Sequence, residues 1–146
     1  MNVLLLPLVG GLLGTLVMTL FLFIPRWLNW GQVDVVRAAG ALVTGKTENA
    51  MGPGVGIHIV SGILFAYVYT WLLSLSQLPL NVWTFAMAGA IHGIIVMLLV
   101  SVVIMEHHPV ARYHERGPMT GLAQLLAHIL YGATIGLVYQ LFDTAG

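Results

Sequence analysis

Four runs of uncharged, mostly apolar residues fill most of this chain, each about as long as a bilayer is thick. They cover roughly residues 3–24, 54–75, 82–105 and 119–142. A helix needs about 20 consecutive apolar residues to cross the hydrocarbon core. Helices that are apolar on every face belong in lipid, where each backbone polar group is satisfied within its own helix. Only 7% of the 146 residues are charged and 59% are hydrophobic, too few charges to solvate the surface of a small water-soluble domain. The expected fold is therefore all-α: one domain over residues 1–146, a polytopic membrane protein with four transmembrane helices. The first run has no basic leader and no small-x-small cleavage site, so it reads as a span and not as a signal peptide. The formal net charge is zero, which gives no reason to expect nucleic acid as a partner. There is no cysteine, hence no disulfide, thiolate metal site or cysteine nucleophile.

Within these runs the chain repeats itself. His58 to Tyr69 reads His-Ile-Val-Ser-Gly-Ile-Leu-Phe-Ala-Tyr-Val-Tyr, and His128 to Tyr139 reads His-Ile-Leu-Tyr-Gly-Ala-Thr-Ile-Gly-Leu-Val-Tyr. Gly10, Gly14, Val17 and Met18 of the first span match Gly89, Gly93, Val96 and Met97 of the third. The first span thus resembles the third and the second resembles the fourth. This pattern predicts two parallel-repeat helical hairpins, related by a pseudo-two-fold axis along the membrane normal. Glycines four residues apart let neighbouring helices approach closely.

Polar residues concentrate in two of the three connections. Pro25 is expected to end the first span, with Arg26, Trp27 and Trp30 as interfacial anchors. In the connection that follows, Val33, Val36, Ala39 and Leu42 fall on one helical face. A short interfacial amphipathic helix is expected over residues 34–43, ended by Gly45 and Lys46. Asn49 to Gly56 is rich in glycine. The link between the second and third spans, residues 76–81, is short and uncharged. All five basic residues lie in the first and third connections. By the positive-inside rule, segments 25–53 and 106–118 are cytoplasmic and both termini are outside. Tyr113 is expected to mark the near interface together with the two tryptophans; Tyr69, Trp71, Trp83 and Tyr139 are expected to mark the far one.

Candidate chemistry rests on histidine. His58, Gly62, Ala66 and Tyr69 form one helical stripe, and His128, Gly132, Gly136 and Tyr139 form its copy. Histidine is costly inside a membrane and faces protein or a cavity. If the pseudo-axis holds, His58 and His128 lie at matched depth and could ligate a metal, or the iron of a haem b axially. Equal depth requires the second helix to begin before Pro53. His92 stands where the first span has Leu13. It breaks the repeat, and a His92–His128 pair rivals His58–His128 as the cofactor-binding pair. Each histidine could instead bond a backbone carbonyl or a neighbouring hydroxyl, with Ser61, Tyr131 and Thr134 at hand. The run Glu106-His107-His108 with His114-Glu115 offers metal-ligand residue types, but adjacent histidines diverge by about 100° on a helix. No phosphate loop, nucleophile elbow or zinc-protease helix is present. No acid lies in any span, which weakens a proton-pump or cation-transporter reading.

The segment Ala127 to Tyr139, with Gly14-Thr-Leu-Val-Met18, Asp34-Val-Val-Arg37 and the His-x-x-x-Gly opening of the second span, resembles a family of small uncharacterised four-span bacterial membrane proteins. The resemblance implies a prokaryotic cytoplasmic membrane and four helices, and no activity.

Three functions are compatible with the sequence. The first is a non-catalytic subunit or accessory protein of a larger membrane complex, for which a respiratory or redox setting suits the buried histidines. Its partners would be the lipid bilayer and other membrane subunits or copies of itself. The second is a b-type haem electron-transfer protein with bis-His ligation. The third is a small transporter or channel lined by His58, His92 and His128.

Overall fold

The computed structural model describes residues 4–27, 34–99, 106–114 and 118–142. These form α1 (Leu5–Trp27), α2 (Val35–Thr44), α3 (Met51–Leu75), α4 (Val82–Leu98) and α5 (Pro118–Phe142), with one 3₁₀ turn at Ala111–Tyr113. Among the described residues there is no strand. α1, α3 and α5 are long and apolar enough to cross a membrane. α4 has 17 described residues, about 26 Å at the usual helical rise and short of a bilayer core of about 30 Å. Residues 100–105, expected to complete the third span, lie outside the described residues. So do Trp30, Val33, Glu115 and Arg116, and the side chains of Arg26 and Trp27.

Proline and the capping residues set the helix ends. α1 runs two residues beyond Pro25, so the proline sits inside the last turn and does not end the helix. There its missing N–H costs a single hydrogen bond. α3 begins at Met51, which places Pro53 in the first turn, where backbone N–H groups have no helical partner anyway. α3 thus starts before Pro53, as equal depths required, but His58 still lies nearer its helix start than His128 does. α2 lies within a residue of its expected bounds. The Arg37 N–H donates to the Asp34 carboxylate at 3.0 Å, and Gly45, at φ 67°, closes the helix by donating to the Ala41 carbonyl. That left-handed conformation suits glycine. Asn81 caps α4, accepting from the Trp83 and Thr84 N–H groups in a capping box with Thr84.

α5 is the central helix. It packs along α4 and α1; α1 packs in turn on α3, and α2 lies on α3, while α3 and α4 touch only lightly. Glycine sets each close approach. A Cβ at Gly10 or Gly14 would press on Ile135 and Tyr131 of α5, and one at Gly11 on Gly62 and Ile63 of α3. A Cβ at Gly89 would overlap the His128 carbonyl, and one at Gly132 the Phe85 carbonyl. Both glycine pairs of the repeat thus face α5, so the two hairpins do not pack alike. Hydrogen bonds supplement this packing. Tyr131 donates to the Gly62 carbonyl, and the hydroxyls of Thr70 and Tyr139 share a bond at 2.9 Å.

Two expectations about side-chain placement are corrected, and the inner face of α2 is defined. Tyr69 and Tyr139 are core residues, 4% and 1% exposed, and not interfacial anchors; the exposed aromatics at that end are Trp71 and Trp83. Tyr113 is also buried, in a small cluster with Ala38, Ala41 and Ala50. On α2 the buried residues are Ala38, Gly40 and Ala41, while Leu42 is exposed. The smallest residues turn inward because α2 and α3 meet backbone to backbone: a Cβ at Gly40 would overlap the Ala50 carbonyl, and one at Gly54 the Val36 carbonyl.

Candidate functional site

The loose seam between α3 and α4 holds a cavity of about 190 Å³, and His58, His92 and His128 all line it. α3 contributes His58, Ser61 and Phe65, α4 contributes His92 and Val96, and α5 contributes Gln124, His128 and Tyr131. Met18 and Leu22 of α1 form a further wall, and Val35, Val36 and Ala39 bring α2 against it. No Asp, Glu, Lys or Arg is among the described lining residues.

Helical spacing puts the polar groups together. Gln124, His128 and Tyr131 are four and three residues apart on one face of α5, and all three are buried. The His128 Nδ1–H donates to the Gln124 backbone carbonyl at 2.7 Å, which leaves Nε2 with its lone pair in the neutral ring. His92 reaches across the seam, where its Nδ1 shares a hydrogen bond with the Tyr69 hydroxyl at 2.8 Å. Its ring lies 4.1 Å from that of Phe65 and meets His128 edge-on at 4.8 Å, centroid to centroid.

The histidine in ring contact with His128 is therefore His92. His58 lines the same cavity, and its Nε2 is buried without a hydrogen-bond partner. The amide nitrogen of Gln124, a residue only 4% exposed, is in the same position. The hydroxyls expected to serve the histidines are engaged elsewhere. Ser61 donates to the His58 carbonyl and not to its ring; Tyr131 donates to Gly62 and Thr134 to Leu130. The partners in use are Tyr69 and the Gln124 backbone. Aromatic placement in the sequence points Tyr69 to the interface, whereas the repeat puts it on the histidine stripe. Gln124 had one signal, a polar residue one turn before a membrane histidine.

These positions constrain ligation. Two axial imidazoles have the iron and the plane of its porphyrin between them, and the rings of His92 and His128 are already in edge contact. The cavity is also smaller than the ~300–1,000 Å³ of pockets that enclose drug-sized ligands. Among the described residues, no group of three His or acidic side chains converges on a metal-sized space.

In the connection between α4 and α5, His108 and His114 bond backbone groups. The Val110 N–H donates to His108 Nδ1 at 3.0 Å, so Nε2 carries the proton, and it donates to the Ala38 carbonyl of α2 at 3.0 Å. His114 Nε2 donates to the His108 carbonyl at 2.7 Å. His108, 3% exposed, packs edge-on against Tyr113. The two connections that carry the basic residues thus meet at one end of the bundle.

No curated protein and no solved structure matches the chain. A family model matches residues 1–146 in full, and by that match the chain belongs to a family of unknown function (DUF6789).

Proposed function

We propose that the chain is a non-catalytic, four-span integral protein of the prokaryotic cytoplasmic membrane that holds a small hydrogen-bonding ligand in the His58–His92–His128 cavity. Segments 25–53 and 106–118 are cytoplasmic and both termini lie outside in this reading. The contact of the two basic connections at one end supports that orientation. One observation carries the ligand-binding reading. His58 and Gln124 line the cavity, and the buried His58 Nε2 and Gln124 amide nitrogen have no hydrogen-bond partner among the described residues. A buried polar atom left unsatisfied costs about 1–3 kcal/mol, so a site with two of them favours something that bonds them. The absence of catalysis is supported by the lining, where Ser61 is tied to a backbone carbonyl and no carboxylate is among the described residues.

The test uses the natural lack of cysteine. Ser61→Cys places one thiol in the cavity, and Val60→Cys places one on the lipid-facing surface, where Val60 is 66% exposed. A thiol reacts as its thiolate, which needs a polar surrounding. In native membranes, a small methanethiosulfonate reagent is expected to modify Ser61→Cys and to spare Val60→Cys. Equal inertness of the two would mean a closed, dry site and would end this reading.

A second reading places the protein in a larger membrane assembly, as an accessory subunit or a homo-oligomer. Gly52 and Gly56, which have open space over them, form with exposed Val60 and Leu64 a ridge on α3 that favours it. Purification in mild detergent as a lone monomer would remove that reading.

A further inference from the structure

We infer that the ligand is a lipid-soluble quinone, whose carbonyl ring enters the cavity and whose tail lies in the bilayer. The inference rests on the ligand-binding reading above and names the ligand's class from four features of the site.

The first feature is access. α3 and α4 touch lightly, and the cavity lies in their seam, beside Ile57, which is 41% exposed. A ligand reaching a seam between transmembrane helices arrives from the lipid. The second is charge. The described lining has no Lys or Arg to neutralise an ionised head group, and a neutral ring suits its three histidines without charging them, which argues against phospholipids and fatty acids. The third is size. A cavity of about 150 Å³ accepts benzene, so about 190 Å³ takes one substituted six-membered ring and leaves a tail outside. Its walls suit a ring: Phe65, Met18, Leu22 and Val96 are apolar and lie beside the polar groups.

The fourth feature is the hydrogen-bond inventory. The Gln124 amide nitrogen and His58 Nε2 have no partner among the described residues; a carbonyl oxygen accepts from the amide N–H, and from His58 in the tautomer that protonates Nε2. His128 Nε2, left as an acceptor by the bond its Nδ1 makes, suits the hydroxyl of the reduced ring. The same three side chains can therefore satisfy a quinone or a quinol. A simple long-chain alcohol offers one hydroxyl and leaves part of this set unpaired.

The test uses the full chain in lipid nanodiscs with decylubiquinone, an alcohol of matched tail, and the variants Gln124→Leu and His58→Leu. Both variants replace atoms that have no partner, so the fold is expected to keep or gain stability. Saturable binding of one decylubiquinone per chain is expected, weakened about two- to tenfold by each variant. Decylubiquinone is also expected to protect Ser61→Cys from modification, which gives a readout without any substitution at a polar contact. Binding of the alcohol as tightly as the quinone overturns the inference. So does modification of Ser61→Cys that decylubiquinone neither slows nor accompanies with saturable binding, in which case the ligand-binding reading stands. If Ser61→Cys is not modified at all, both fall.

Discussion

Replacing Tyr69 with phenylalanine tests the seam on which the cavity depends. α3 and α4 make few contacts, and the Tyr69–His92 hydrogen bond, at 2.8 Å, is a polar tie across them. The substitution removes one oxygen and keeps the ring, including its edge contacts with His92 and Tyr131. What changes is the bond, in a residue 4% exposed. Hydrogen bonds between membrane helices average about 0.6 kcal/mol and reach about 1.7 kcal/mol. Tyr69 belongs toward the upper end, because water has little access to replace the lost partner of His92, and about 1 kcal/mol is a fair expectation. A loss of that size raises the population of an opened seam about fivefold.

Two measurements follow from that figure. In the Ser61→Cys background, Tyr69→Phe is expected to speed modification of the thiol by up to about fivefold. A double-mutant cycle of Tyr69→Phe with His92→Leu, read by denaturing-detergent unfolding, is expected to give a coupling of about 1 kcal/mol. A coupling inside the ~0.3–0.5 kcal/mol scatter of independent sites, with an unchanged rate of modification, would refute the seam as described.

Further outcomes are specific to place. Gly89→Ala and Gly132→Ala force α4 away from α5 and are expected to cost about 1–3 kcal/mol each in the same unfolding assay. Gly52→Ala and Gly56→Ala meet open space and are expected to be neutral or to stabilise by up to about 1 kcal/mol. His108→Ala strands the Ala38 carbonyl and the Val110 N–H at a cost of about 1–3 kcal/mol; faster proteolysis within residues 106–114 would report it. Asp34→Ala removes the α2 cap, worth about 1 kcal/mol, and faster amide exchange at Arg37 is the measurement.

Much of this fold is legible in the sequence because lipid removes alternatives. Uninterrupted apolar runs place α1, α3 and α5 within a few residues of their observed ends, and Asp34 and Gly45 bracket α2 by cap chemistry that operates locally. The inward stripe of Gly62, Ala66 and Tyr69, with its copy on α5, is visible for the same reason: helical periodicity is a local property. Other features depend on which helix lies beside which. Tyrosine suits both a membrane interface and a buried hydrogen bond, so Tyr69 and Tyr139 needed the neighbours His92 and Thr70 to be assigned. The same holds for the buried face of α2, where close approach to α3 favours Ala38 and Gly40 over the larger Leu42. The three histidines were singled out from the cost of a polar ring in lipid. Their pairing was open, because it depends on how α4 is rolled against α5.

That roll also explains why a cavity is present. In two hairpins packed about a two-fold axis, the matched pairs Gly10–Gly14 and Gly89–Gly93 would face different neighbours, one pair on α5 and the other on α3. Here both face α5. α5 is therefore held closely from two sides, and α3 has its close contacts with α1 and α2. The seam between α3 and α4 receives no glycine contact from α4; Phe65, His92 and Val96 line it instead and hold the backbones apart. Position 92 matches Leu13, which is 43% exposed on the outside of α1. A side chain that can face lipid in the first hairpin must face the seam in the second, where Tyr69 and His128 await a polar partner. The break in the repeat and the space beside it are thus one event. Two equal hairpins with glycine in every seam would have closed the bundle, and α4 turned toward α5 leaves room for a ligand among three histidines.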